Sequence, residues 1–291
     1  MHLPAALSQF ATVAKAAFCA LSMMAVVPAA AQSLDSQTEA ALDAAIAGTH
    51  RSAADKARDA HRNPKKTLAF FGLRHDMTVV EMWPGAGWYT DILAPALAAE
   101  GRLYTAHFDV NSQLAFGRRS LGGFLTKLAE KPELYRAVRV SMLDYPATGP
   151  VAPAGSADLV LIFRNVHSWL RGYFDDVDFA TLAFEQAYLA LKPGGVLGVV
   201  QHRWPDPETE DENTASTGYV SQAKVIALAE AAGFQLAGSS EINANPKDDH
   251  VHPKGVWTLP PRLAMGDVDR AKYQAIGESD RMTLKFVKPA P

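Results

Sequence analysis

Three groups of residues have types and spacings suited to chemistry. The segment Thr78–Thr90, T-V-V-E-M-W-P-G-A-G-W-Y-T, passes from β-branched residues to an acid, a Gly-x-Gly turn and a helix-like stretch. Gly85 and Gly87 permit backbone conformations and close approaches that a side chain would block, and the following helix offers free N–H groups and a positive dipole end. Glu81 adds negative charge at the strand end, which suits a ligand with hydroxyls or a cationic amine better than a pyrophosphate. No Lys-Ser/Thr pair follows, which excludes a P-loop. Taken alone, Gly-x-Gly is equally well an ordinary tight turn.

The second group is His167 in R-N-V-H-S-W and His202 in Q-H-R-W. Both follow strand-like runs, and imidazole titrates near neutral pH, so both are candidate general bases, His167 first. The plainer alternative, a histidine bonded to a loop carbonyl, serves equally well for His167 and better for His202. The third group, Asp248-Asp249-His250 with His252, carries oxygen and imidazole donors at short spacing that could hold a divalent metal, although the spacing is poor for metal-dependent catalysis and such loops more often form turns. Arg51, Arg58 and Arg62 share one helix face at steps of seven and four. That face reads as solvated and salt-bridged, with a lid over an anionic group as the sharper alternative. Trp83, Trp88, Tyr89 and Trp169 fall at strand ends, where they pack loop on sheet or present aromatic faces to a cation.

Alternating signals define the elements that position these groups. Strands are expected over Thr78–Trp83, Gly101–His107, Ala137–Leu143, Ala157–Phe163, Val196–Gln201, Gln235–Ser240 and Met282–Val287. Helices are expected over Trp88–Ala99, Ser112–Ala129, Phe179–Leu191 and Ser221–Ala232. An Ala-rich stretch, Thr38–Arg62, forms one or two N-terminal helices that end at Asn63-Pro64. Near-continuous apolar strands separated by helices require a mostly parallel sheet covered on both faces, a doubly wound α/β domain. Ligands of such sheets lie beyond the carboxyl ends of the strands.

The first 31 residues read as a secretory signal: Lys15, an apolar run Ala16–Val27, then Pro28-Ala29-Ala30-Ala31. That run is shorter than the ~20 apolar residues of a membrane span. Cleavage after Ala31 removes the single cysteine, Cys19, and gives an exported, periplasmic protein with residues 32–70 as an N-terminal helical segment and 71–291 as the α/β domain. With 28 basic and 31 acidic residues the chain has a net charge of −3, a poor match to nucleic acid. The acidic run at 206–213 reads as a solvated loop.

With those segments placed, the chain resembles the class I S-adenosylmethionine-dependent methyltransferases, and within them a group of exported bacterial proteins. The resemblance rests on E-M-W-P-G-A-G-W-Y-T (81–90), S-A-D-L-V-L-I-F-R-N-V-H (156–167), A-L-K-P-G-G-V-L (190–197), A-E-A-A-G-F (229–234), N-P-K-D-D-H (245–250) and L-K-F-V-K-P (284–289). It implies a Rossmann-like sheet and S-adenosylmethionine as cofactor. Glu81, Gly85 and Gly87 would surround the cofactor's amino-acid end, with Trp83 standing where the family has its first loop glycine. His107 or Asp109 would take the ribose hydroxyls, Asp144 the adenine amino group, and Asn165 would also lie at the cofactor. The acceptor is expected to be a small molecule. Two other classes are weighed against this enzyme: a nucleoside-binding module that keeps the fold without transfer, and a metal-dependent hydrolase or lyase.

Overall fold

The computed structural model describes residues 34–146, 149–174 and 177–290. The proposed signal segment lies outside the described residues. In chain order the elements are α1 (Ser36–Ala47), α2 (Ala53–Ala57), α3 (Asp59–Arg62), α4 (Pro64–Phe71), β1 (Thr78–Met82), α5 (Thr90–Leu97), β2 (Arg102–His107), α6 (Ala115–Glu130), α7 (Pro132–Tyr135), β3 (Val138–Met142), β4 (Ala157–Phe163), α8 (Val166–Trp169), α9 (Phe179–Ala190), β5 (Leu191–Trp204), β6 (Val220–Ser221), α10 (Gln222–Ala231), β7 (Gln235–Ser240), α11 (Arg270–Ile276) and β8 (Arg281–Val287).

The main strands form one sheet in the order β3-β2-β1-β4-β5-β8-β7, with β6 paired to the end of β5. The pairs from β3 through β5 are parallel, whereas β8 runs antiparallel to both β5 and β7. Strand order reverses between β1 and β4, so the ligand crevice of the doubly wound sheet opens at their carboxyl ends. Because β8 is antiparallel, its first residue also reaches this edge, where Arg281 pairs with His202.

Alternation along the strands builds two cores. Val80, Met82, Val160 and Ile162 face a layer containing Phe179, Ala183, Phe184 and Ala187 of α9 with Val225 and Ala229 of α10. Val79, Leu159 and Leu161 face the opposite layer of Leu42, Ala45, Phe71, Ile92 and Leu93. The N-terminal helices therefore share a core with β1 and β4.

Four details differ from the sequence expectation, the first being that the stretch to Arg62 holds three helices, α1 to α3, instead of one or two. Pro64 begins α4 instead of only ending the preceding helix: Asn63 turns at φ 41° and Pro64 sits at the first helical position, where its missing N–H is not needed. Strand β5 starts at Leu191, which pairs with Ala157 of β4, and Gly194 and Gly195 exchange backbone hydrogen bonds with Lys288. Finally, the face of Arg51, Arg58 and Arg62 is not a solvated one. Arg51 makes a two-bond ion pair with Asp59 (2.8 and 2.6 Å), Arg58 and Arg62 both reach Glu278, and Arg51 and Arg62 are buried.

Candidate functional site

The loop after β1 is held at both ends. Trp83 N–H donates to Ala106 O (2.8 Å), extending the β1–β2 ladder, while Asn165 Nδ2 donates to Met82 O (2.7 Å) and Trp83 O (3.1 Å) across the β1–β4 switch point. Trp83, Gly85 and Gly87 adopt φ of 46°, 59° and 79°. Three alternate residues thus lie in the left-handed region, where only glycine is at ease. A Cβ at Gly85 would have no atom within 4 Å, so the loop backbone faces open space there.

Trp83 meets the conformational demand at the cost of a strained backbone and gains packing in exchange. Its indole Nε1 donates to Leu143 O (2.7 Å), and its ring lies 4.2 Å from Phe108, 5.5 Å from Phe179 and 5.9 Å from Trp169. The other strand-end aromatics also pack: Trp88, Tyr89 and Trp169 are all buried. The guanidinium groups of Arg51 and Arg62 lie over the Trp88 ring at 5.0 and 4.6 Å.

Glu81 is buried under the loop and accepts a 2.6 Å hydrogen bond from Thr90 Oγ1; burial pushes its carboxyl up to about 7. Of the two residues considered at the end of β2, His107 is the one aimed at the loop, with Nε2 3.3 Å from Gly85 O. Burial pushes it down to about 4, so it is neutral at pH 7. Asp109 turns away: its carboxylate accepts from Asn111 N–H (2.5 Å), while its N–H donates to Asp144 Oδ2 (2.9 Å). Asp144 is buried and also accepts from Tyr145 N–H (2.9 Å).

The two candidate bases come together, with ring centroids 5.5 Å apart. Gln201 Nε2 donates to Gly218 O (2.9 Å), which orients that amide to donate also to His167 Nδ1 (3.3 Å). The network therefore places the proton of neutral His167 on Nε2, beside Ser168 Oγ at 3.1 Å. Burial pushes His167 down to about 4. His202 Nδ1 lies 2.5 Å from Ser279 Oγ, and among the described residues its Nε2 has no hydrogen bond. Burial and the neighbouring His167 hold His202 well below the usual imidazole range.

The residue that sequence reasoning missed is Arg164, immediately after β4. It has φ 61°, its N–H donates to Val200 O (2.7 Å), and its side chain makes no hydrogen bond or ion pair among the described residues. Its bond to Val200 O sets it beside the end of β5 that carries His202, and its charge acts on Glu81, His167, His202 and Glu278. The sequence signal was a charge directly after the five apolar residues Leu159–Phe163.

Asp248, Asp249 and His252 bring ligand atoms within 4.8 Å of one another. Asp248 is already engaged by Tyr219 OH (2.9 Å), Asp280 N–H (2.8 Å) and His252 Nε2 (2.7 Å). The acidic run at 206–213 is mostly exposed, as expected, though Glu210 accepts from Ser221 N–H (2.9 Å). No helix among the described residues is long and apolar enough to cross a membrane.

No protein-family sequence profile matches the chain, and no curated protein sequence is significantly similar to it. Solved structures share its fold. An S-adenosylmethionine-dependent methyltransferase from Aquifex aeolicus superposes with a TM-score of 0.51 at 16% identity, covering 81% of this chain and 94% of its own. Geranyl diphosphate C-methyltransferase from Streptomyces coelicolor A3(2), crystallised with Mg2+, geranyl-S-thiolodiphosphate and S-adenosyl-L-homocysteine, gives 0.52 at 12% identity over 84% of each chain. The [4+2]-cyclase SpnF gives 0.52 at 14% identity over 89% and 98%. The chain has the mostly parallel α/β fold that these three proteins share.

Proposed function

We propose that this protein is an exported S-adenosylmethionine-dependent methyltransferase acting on a small molecule. The observation that carries the reading is the loop at the β1–β4 switch point. It keeps three alternate left-handed positions despite Trp83, and at Gly85 it opens onto space that a Cβ would fill. Bound there, the cofactor would supply an electrophilic sulfonium methyl group. Gly85, Gly87 and Glu81 would hold its amino-acid end, with His107 nearest the loop in place of an acid and Asp144 towards the adenine.

The chain's own work is alignment, exclusion of water and proton removal. His202 fits the last role better than His167, because Ser279 orients Nδ1 and leaves Nε2 to receive a proton. Held neutral by burial, His202 is ready at pH 7 but weakly basic. It therefore accepts the proton only as the acceptor atom becomes acidic during bond formation. His167, hydrogen-bonded by Gln201 with its ring 5.5 Å from that of His202, is a positioning residue.

The test is transfer of isotopically labelled methyl groups from S-adenosylmethionine to components of a cell extract. Transfer lost in His202→Gln, with thermal stability retained, is expected; unchanged transfer in that variant refutes the role of His202, and no transfer with the native chain refutes the activity. Export is tested by N-terminal sequencing of the protein from the periplasmic fraction, which should begin at Gln32.

A further inference from the structure

We infer that Arg58, Arg62, Arg164 and Arg281 form a receptor for an oxyanion group, carboxylate or phosphate, of the methyl acceptor; this rests on the methyltransferase reading above.

The four cations converge from separate parts of the chain. Arg164 follows β4, Arg281 opens β8 beside His202, Arg62 ends α3, and Arg58 immediately precedes that helix. A single carboxylate, Glu278, serves three of them: Arg58 Nε at 2.7 Å, Arg62 Nε at 3.1 Å and Arg281 Nη1 at 3.1 Å. Arg281, Arg164 and Arg58 hold Glu278 ionised although burial opposes it. Arg281 completes its bonding with the carbonyls of Ser279 (3.0 Å) and His61 (3.1 Å).

The donors left over point to a ligand. Arg62 Nη1 is buried and has no hydrogen-bond partner, on a residue only 4% exposed. Arg164 is half-buried, its guanidinium has no hydrogen-bond or ion-pair partner among the described residues, and it is pressed by the like charges of Arg281 and Arg58. Guanidinium remains protonated at any physiological pH, so the cluster carries an uncompensated positive charge in a half-dry crevice. Such a charge is strongly unfavourable unless something anionic meets it. The planar fork of an arginine matches a carboxylate or phosphate edge with two parallel hydrogen bonds. The left-handed backbone of Arg164 is the kind of local strain that functional sites retain. An acceptor anchored on Arg164 would lie at the carboxyl ends of β4 and β5, the same edge of the sheet that carries the glycine loop after β1 and His202.

The test is titration calorimetry of the purified protein with pyrophosphate, inorganic phosphate and succinate, using choline as a cationic control, with and without saturating S-adenosylhomocysteine. The inference expects at least one anion to bind, to weaken about tenfold or more in Arg164→Gln, and to be only partly restored in Arg164→Lys, which keeps the charge but not the two-bond fork. Preference for phosphates or for succinate identifies the acceptor's group. Anion binding that is absent, or equal in Arg164→Gln, overturns the inference. Stoichiometric displacement of the anion by S-adenosylhomocysteine also overturns it, since Arg164 would then serve the cofactor's own carboxylate. Anion binding without any affinity for S-adenosylhomocysteine would support the receptor while removing the methyltransferase reading. Thermal melts of both variants establish that they are folded.

Discussion

Replacing Trp83 tests the loop at its most unusual residue. The structure gives the indole two roles: it fills the space between Phe108, Phe179 and Trp169, and its Nε1 satisfies the Leu143 carbonyl. Truncating a buried tryptophan to alanine costs about 3–5 kcal/mol. Its backbone φ of 46° adds a second, separable term. A left-handed residue with a Cβ costs roughly 1–2 kcal/mol, whereas glycine gives up only about 0.5–1 kcal/mol in extra chain entropy. Trp83→Gly should therefore be more stable than Trp83→Ala by about 0.5–1 kcal/mol, reversing the usual order, although both fall well below the native chain. Trp83→Phe keeps most of the packing but leaves the Leu143 carbonyl without its donor, for about 1–3 kcal/mol. Urea denaturation of the four proteins measures all three differences. The alanine variant equalling or exceeding the glycine variant would refute the left-handed assignment, and a loss under about 1.5 kcal/mol in both would refute the packing role.

Other outcomes follow from the buried charges. Glu278→Gln leaves Arg58, Arg62 and Arg281 without their shared carboxylate and should destabilise by about 3–5 kcal/mol in urea denaturation; a loss under 1 kcal/mol contradicts the pairing. Arg164→Gln removes a repelled, unpartnered charge and should raise the stability of the ligand-free protein by about 1 kcal/mol, a stability–function exchange; a clear loss of stability means that Arg164 has a structural partner. The pH dependence has a defined sign. His107 and His167 hold folded values of about 4 against 6.5 in the unfolded chain, so between those values the unfolded state binds more protons and stability is lost as pH falls. Glu81, raised from 4.5 to about 7, acts oppositely, because the folded state keeps the extra proton in that window. Two histidines against one carboxyl leave a net loss of about 2 kcal/mol from pH 6.5 to 4.5, with His202 adding in the same direction. An unchanged or rising urea midpoint on acidification would contradict the burial of these rings.

Much of the fold was legible because it rests on local pattern. Seven apolar or β-branched runs set the main strands to within a residue or two, except β5, whose ends extend further. The extra length of β5 depends on pairing with Ala157 and Lys288 at its start and with Val220, Ser221 and Arg281 at its end, partners that no local signal reports. Strand direction is equally nonlocal, so the antiparallel β8 that brings Arg281 to the crevice had no sequence signature. The candidate residues at strand ends were found because a doubly wound sheet dictates where to look; His167 and His202 do meet there. The arginine receptor was not found for a different reason. Arg58 and Arg62 carry the spacing of an ordinary exposed helix face, and only the fold shows that their partner is Glu278, 220 and 216 residues away. Arg164 looks like any arginine until its surroundings are known.

The central claim is that the loop at the β1–β4 switch point binds S-adenosylmethionine. It is tested most directly by titration calorimetry of the purified protein with S-adenosylhomocysteine, alongside Gly85→Trp, whose side chain would enter the open space before the loop. The account predicts micromolar binding by the native chain and at least tenfold weaker binding by a variant that thermal melting shows to be folded. No binding by the native chain, or equal binding by the folded variant, would contradict it.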